Sequence, residues 1–382
     1  MDALKNKIAI VTVSNDLTTD NRVSKTCNVL IESGFRVVLI GRKRKNSSEL
    51  RARNYTCKRL NLWFDKGALF YAELNIRLFC FLVFAKVDLL FANDLDTLPA
   101  AFLAFKLKKG TKIIYDSHEL FTEAPELEGR RAKKVWERIE KLIFPKLNYI
   151  ITVNDSIAAI FEKKYQKSIV VVRNVSEKLI WEKSKTKEEL GIPNGKRLII
   201  IQGSGLNVDR GIEESILAMQ FVPDAILLIV GDGDVIPEAK FLVKKNQLDA
   251  KVLFFGKRPY FELMQFTKLA EIGLALDKPK SLNYRFALPN KLFDYIQAHT
   301  VVICSNLIEI QNIVEKYDIG VSIDEITPES IAKAINKLLS NSEKLNHFKE
   351  NCKKAAEMEN WENEKGKLRE LIEKVKSEGN GN

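Results

Sequence analysis

The chain has 382 residues, 46% of them hydrophobic and 29% charged, with 10 prolines and a net charge of +11. That length exceeds one ordinary core and suits two domains, and the composition excludes a disordered or fibrous chain. Five scattered cysteines without a Cys-x-x-Cys pair, and three histidines at no zinc-ligand spacing, argue against a disulfide framework and a zinc site.

In chain order, residues 1–7 lead straight into the apolar run Ile8-Ala9-Ile10-Val11 with no secretory cleavage pattern, so a cytoplasmic protein is expected. A helix over 21–33 and a strand over 37–40 follow. The most apolar stretch, 69–92, is interrupted by Glu73, Asn75, Arg77, Lys86 and Asp88. Its longest clean run, 78–85, falls short of the ~20 residues of a membrane span. Strands over 89–91, 112–115 and 149–153 complete a repeated βα winding. After the polar stretch 182–195, a second winding carries strands over 198–203, 226–230, 252–255, 272–276 and 301–304. A last helix, with Trp361 at its start and Leu368, Leu371 and Ile372 on one face, is expected to pack back on the first domain.

Such continuous apolar strands belong to parallel sheets covered on both faces. The expected fold class is α/β, with two Rossmann-like doubly wound domains over 1–180 and 190–360 facing a central cleft, and a crossing helix over 361–378. Ligands then bind outside the carboxyl ends of the strands.

Charge is uneven: residues 1–185 carry +13 and residues 186–382 carry −2. The basic half also holds Trp63, Phe64, Phe70, Tyr71, Phe79, Phe81 and Phe84 near Arg77 and Lys86, which reads either as a buried helix with ordinary solvated lysines or as a surface for peripheral contact with an anionic membrane. A pI of 9.2 invites nucleic acid, but no zinc finger, RNP-like sequence or Gly-x-x-Gly clamp occurs in context, so no nucleic acid is expected.

The chemistry gathers at strand ends of the second half. Gly203-Ser204-Gly205 opens a loop that closes on Arg210-Gly211, where glycines allow close backbone approach and Arg210 can grip a diphosphate bidentately. Gly231-Asp232-Gly233 and Gly256-Lys257 end the next two strands. Pro289-Asn290-Lys291-Leu292 then opens a helix whose free N–H groups and lysine suit a phosphate, with Asp294 one turn below for a ribose diol. Asp94-Leu95-Asp96 and Asp232-Gly233-Asp234 match a D-x-D metal pattern; both are read as metal-free, and no cofactor is expected. The first βα turn lacks Gly-x-Gly-x-x-Gly, against a dinucleotide-dependent oxidoreductase.

This series, ending in Pro-Asn-Lys-Leu-Phe-Asp-Tyr, resembles the donor half of retaining glycosyltransferases of family 4, which have the GT-B fold. The first half resembles the family in its first loop (Asn15, Asp20, Asn21, Arg22), in Tyr115-Asp116-Ser117-His118-Glu119, and in Thr152-Val153-Asn154-Asp155-Ser156. The resemblance covers nearly the whole chain. It implies that Arg210 and Lys291 hold a UDP- or GDP-sugar by its pyrophosphate, that Asp294 binds the ribose, and that His118 lies beside the transferred sugar. Asn15, Asp20, Asn21, Arg22, Asp94, His118 and Glu119 then fall on the acceptor side, for a glycan or lipid-linked acceptor in surface polysaccharide assembly at the inner face of the membrane. Departures mark a divergent branch: Phe286 stands where the family has the first of two glutamates, Ser204 where it has an arginine, and His299 where it has a glycine. They leave a second reading, a catalytically weakened nucleotide-sugar-binding partner protein.

Overall fold

The computed structural model describes residues 7–18, 20–45, 47–50, 52–181 and 184–378. Residues 1–6 of the opening segment and Glu182 and Lys183 of the polar stretch lie outside the described residues. The chain divides into two compact units, Met1–Arg173 with Glu364–Asn382, and Asn174–Asn363.

The first unit runs β1 (Ile8–Thr12), α1 (Asn21–Glu32), β2 (Arg36–Lys43), β3 (Thr56–Asn61), α2 (Gly67–Phe84), β4 (Leu89–Asn93), α3 (Asp94–Leu107), β5 (Lys112–Ser117), α4 (Arg131–Ile143), β6 (Tyr149–Thr152), α5 (Asp155–Tyr165) and β7 (Val170–Val171). Its seven strands are parallel in the order β3-β2-β1-β4-β5-β6-β7. The order reverses between β1 and β4, so the loops after these strands open at the switch point. All five residues of β4 are buried, and Asp20 caps α1 by accepting from the Val23 N–H at 3.0 Å.

The second unit runs β8 (Arg197–Gly203), α6 (Ile212–Ala218), β9 (Ala225–Gly231), α7 (Ile236–Lys245), β10 (Val252–Phe254), α8 (Tyr260–Leu269), β11 (Ile272–Ala275), α9 (Leu282–Arg285), α10 (Asn290–Ala298), β12 (Val301–Ser305), α11 (Ile308–Tyr317), β13 (Gly320–Ile323), α12 (Pro328–Leu339) and α13 (Ser342–Met358). Six parallel strands follow the order β10-β9-β8-β11-β12-β13, with the reversal between β8 and β11. Every residue of β9 is buried, each Ile or Leu contributing roughly 1.5–3 kcal/mol. The last helix, α14 (Trp361–Ser377), begins in this unit, where the Trp361 N–H donates to the Ser176 carbonyl at 2.9 Å. It ends in the first, where Arg369 meets Glu32 at 2.6 Å and Lys376 meets the Ser33 carbonyl at 3.0 Å.

Helix α2 differs from the sequence expectation. It runs 18 residues with a mean hydropathy of 1.6, long and apolar enough by length and composition to cross a membrane. The polar residues that seemed to interrupt it are engaged by neighbours. The Glu73 carboxylate accepts from the Trp63 and Phe64 N–H groups and from Arg77. Asn75 reaches into α3, donating to the Asp96 carbonyl at 2.8 Å and accepting from the Ala100 N–H at 3.0 Å, beside Pro99 inside that helix. One stripe, Phe70, Leu74, Leu78 and Leu82, is buried within the unit.

Candidate active site

In the second unit, the loops after β8 and β9 are laced together at the switch point. Gly203 and Gly231 face each other in register, and a side chain on Gly231 would lie 1.8 Å from the Gly203 carbonyl oxygen. The Leu206 N–H donates to the Asp232 carbonyl at 3.0 Å, while the Asp232 carboxylate accepts from the Gly233 N–H at 2.9 Å. Ser204, Gly205 and Asp232 are exposed there. At Gly211, with φ of 72°, a Cβ would meet the Leu276 carbonyl oxygen at 2.6 Å, so the loop bearing Arg210 can seat against the end of β11 only with glycine at this position.

That seating brings together the two cations singled out by the sequence. Arg210 Nη1 lies 3.0 Å from one Asp277 oxygen and Lys291 Nζ lies 3.6 Å from the other. The Tyr284 ring stacks under the Arg210 guanidinium at 4.4 Å. Asp277 has no exposed surface, and among the described residues neither of its oxygens makes a hydrogen bond of good geometry. Burial pulls the Lys291 amine down from its ordinary range and Arg210 adds to this, while Asp277 pushes the other way. Lys291 sits in the first turn of α10, after Pro289, and no side chain caps that end of the helix. The first N–H groups of α10 therefore stand beside two cations, an arrangement suited to an anion.

Asp294, one turn below Lys291, is held by three donors of its own unit. It is 7% exposed and accepts from Ser176 at 2.6 Å, Tyr260 at 2.8 Å and Gln202 at 3.0 Å. Burial and Asp294 hold the Tyr260 phenol well above its usual range, so it remains a donor. Leu292 is fully buried as part of the core, Asn290 is exposed, and Gly256 and Lys257 are exposed at the end of the edge strand β10.

In the first unit, His118 follows β5 and sits between two carboxylates. Its Nδ1 is 3.3 Å from Asp94 and its Nε2 is 3.3 Å from Asp116 and 3.2 Å from the Asn93 amide oxygen. Burial alone would lower its pKa, but Asp94 and then Asp116 outweigh it and raise it to about 9. The two carboxylates thus favour the charged form of the His118 imidazole. Asp94 is held with φ of 58° at the start of α3 and accepts from the His118 N–H at 2.9 Å. Burial, followed by Asp94, pushes Asp96 up to about 7.

Arg22 and Asp20 make framework contacts. Arg22 grips Asp116 bidentately at 2.7 and 3.0 Å and donates to the Val172 carbonyl at 2.7 Å, while Asp20 is the cap of α1. Asn15 and Asn21 are exposed and Glu119 is half-buried beside His118. Sequence reasoning did not select Asp277, Gln202, Ser176 or Tyr260. For Asp277 a signal existed, an acid directly after the apolar strand 272–276; the other three are recognisable only through the fold.

Two consecutive doubly wound parallel-sheet units with loops open at their switch points constitute the GT-B fold, an architecture of glycosyltransferases. The chain belongs to the family 4 glycosyltransferases: the family described as "Glycosyl transferases group 1" matches residues 182–355 and "Glycosyltransferase Family 4" matches residues 21–175, together most of the chain. Among solved structures, sucrose-phosphate synthase from Thermosynechococcus elongatus superposes with a TM-score of 0.80 at 16% identity, covering 97% of this chain and 100% of that one. Anabaena Alr3699/HepE in complex with UDP-glucose gives 0.75 at 13% identity, covering 97% and 99%. WaaG, a glycosyltransferase involved in lipopolysaccharide biosynthesis, gives 0.70 at 14% identity, covering 98% and 100%. Curated protein sequences gave no match.

Proposed function

We propose that this glycosyltransferase moves a sugar, with retention and without a metal ion, from a UDP- or GDP-sugar to a glycan or lipid-linked acceptor in cell-surface polysaccharide biosynthesis. The observation that carries this reading is the convergence of Arg210 and Lys291 on one buried point beside the open first turn of α10. Two cations at the N-terminal end of a helix neutralise a diphosphate leaving group as its charge grows. In front-face transfer the acceptor O–H proton passes to the departing phosphate as the new C–O bond forms, so no protein nucleophile is needed. The Anabaena relative in complex with UDP-glucose and the lipopolysaccharide enzyme support the donor and pathway classes.

The test is a thermal-shift panel of UDP, GDP, ADP and CDP, followed by product analysis with the matching nucleotide sugar. At a hundredfold excess over Kd, binding stabilises by about 2.7 kcal/mol, a readily measured shift. One nucleotide should stand out, with turnover that survives excess chelator. Binding without turnover would favour the weakened partner protein, to which the exposed Ser204 and the half-buried Phe286 point.

The lipid side of the reading rests on the first unit. The outer stripe of α2, Ala68, Ala72, Ile76, Cys80 and Phe84, is exposed and carries no charge. Trp63 and Phe84 are 83% and 89% exposed, and Leu103 and Leu107 on the adjoining α3 are exposed as well. On α4, which also contacts α3, Val135 and Leu142 alternate with exposed Arg131, Lys134, Arg138 and Lys141. An apolar face interleaved with cations matches an anionic lipid surface at the cytoplasmic side, each cation near it contributing roughly 1 kcal/mol. The protein should sediment with phosphatidylglycerol-containing vesicles and not with pure phosphatidylcholine. Ile76→Glu with Phe84→Glu should weaken this at least about tenfold. Failure to sediment with either vesicle, or self-association lost in the same variant, would overturn the lipid assignment.

A further inference from the structure

Asp277 belongs to no motif, yet it is the sole acid in ion-pair contact with either Arg210 or Lys291 among the described residues. It is fully buried two residues beyond β11, and its ion pairs at 3.0 and 3.6 Å leave both oxygens without a well-formed hydrogen bond. The Lys291 side chain is only 10% exposed. It is faced by Asp277 from the end of β11 and by Arg210 from the loop after β8; Tyr284 of α9 lies behind Arg210, and the buried Tyr295 of α10 also feels Asp277. A buried ammonium next to a guanidinium is driven to give up its proton on two counts, and Asp277 is the one neighbour of opposite sign. One carboxylate between two cations leaves the trio with a net positive charge, still attractive to a phosphate.

We propose that Asp277 is a built-in counter-ion that keeps Lys291 protonated and aligned with Arg210 while the phosphate subsite is empty. The site then meets its ligand as a ready pair of cations. This inference rests on the nucleotide-diphosphate reading of the site given above. When a diphosphate binds, its oxygens take over the role of Asp277, and no proton has to be gathered from solution first. Asp277 acts through Lys291 and Arg210, as a positioning residue.

The consequence is a pH signature. With asparagine at 277, the Lys291 amine loses its proton at a lower pH, and binding above that point requires reprotonation, costing about tenfold in affinity per pH unit. The experiment measures the affinity of UDP and GDP by calorimetry from about pH 6 to 10, for the wild type, Asp277→Asn, and Asp277→Asn with Lys291→Arg. Asp277→Asn should bind comparably to the wild type at the acid end and fall away steeply toward the alkaline end. The added Lys291→Arg should flatten the profile again, because a guanidinium does not deprotonate in this range, and a merely structural defect would not be repaired in that way. In parallel, the Lys291 side-chain resonance, titrated by NMR in protein without nucleotide, should show a midpoint at least one pH unit lower in Asp277→Asn and close to wild type in Asp277→Glu. Equal midpoints in the wild type and Asp277→Asn would overturn the counter-ion role whether or not nucleotide binds. Absence of nucleotide binding in the wild type, with the midpoint shifted as expected, would sink the donor-site reading and leave the Asp277–Lys291 coupling intact.

Discussion

Alanine at Arg210 lowers kcat/KM for sugar transfer by about 10²–10³-fold, equivalent to about 2.7–4 kcal/mol of transition-state stabilisation. The effect is large because two losses coincide. The leaving diphosphate forfeits a planar, bidentate donor. Asp277, fully buried, is also left with Lys291 alone at 3.6 Å. Lys291→Ala should cost a similar amount, and the double variant clearly less than the product of the two, because both cations act on one anion and share one carboxylate. Lys257→Ala is the internal control: exposed at the end of the edge strand, it should change kcat/KM by less than about fivefold. Initial rates at varied donor concentration measure all four variants. Activity within a few-fold of wild type in Arg210→Ala would remove the pyrophosphate role from this cluster.

Alanine at Asp116 should destabilise the first unit by about 3–5 kcal/mol, the cost of leaving a buried partner charge uncompensated. Arg22 and Asp116 have side chains 6% and 1% exposed and are joined by two hydrogen bonds, so water cannot replace the missing carboxylate. At about 2–4 °C per kcal/mol, the first transition in a thermal melt should fall by roughly 10 °C. The pH dependence carries a sign. Burial raises the Asp116 carboxyl, but Arg22 and His118 more than reverse this and hold it well below the usual range. Its contribution is therefore complete above the unfolded value of about 4 and is lost as pH falls further. His118, raised to about 9, stabilises fully below its unfolded value of about 6.5, and that contribution fades as pH rises through about 9. Urea unfolding between pH 6 and about 9 should show this alkaline decline in the wild type and a flatter profile in Asp116→Ala. A variant within about 1 kcal/mol of wild type would show that the pair does not hold the unit together.

The winding of both sheets is legible in the sequence because β1, β4, β8, β9 and β12 are continuous apolar runs, and such runs are needed only where both faces of a strand are covered. The edge strand β3, Thr-Cys-Lys-Arg-Leu-Asn, hides from the same reasoning. Its residues alternate between exposed and half-buried, and nothing in their polarity separates them from a loop. In helix α2, Glu73 and Asn75 look like breaks in the apolar run until their partners, the 63–64 backbone and α3, are folded against them. In the site, Arg210 and Lys291 were visible because motifs position them locally. Asp277 showed only as an acid directly after an apolar strand, and its partners become recognisable only through the approach of the Gly211 loop to β11. Asp294, expected one turn below Lys291 to reach a ribose diol, meets Ser176, Gln202 and Tyr260, side chains from three separate segments that no spacing rule connects.

The return of α14 to the first unit has a consequence for synthesis on the ribosome. The chain leaves that unit at Arg173 and comes back at Glu364, and the two crossing points are fastened by the Arg173 N–H and guanidinium on the Glu364 carboxylate at 2.8 and 2.9 Å. The first seven strands are therefore translated early, while the helix that completes their unit emerges roughly 200 residues later, a delay of about 10–40 s at ordinary elongation rates. In that interval Leu368, Leu371 and Ile372, which are buried in the finished fold, do not yet exist, and the intervening unit can complete its own fold first. Nascent chains stopped before residue 364 should thus expose apolar surface to chaperones although every strand of both sheets has already been made.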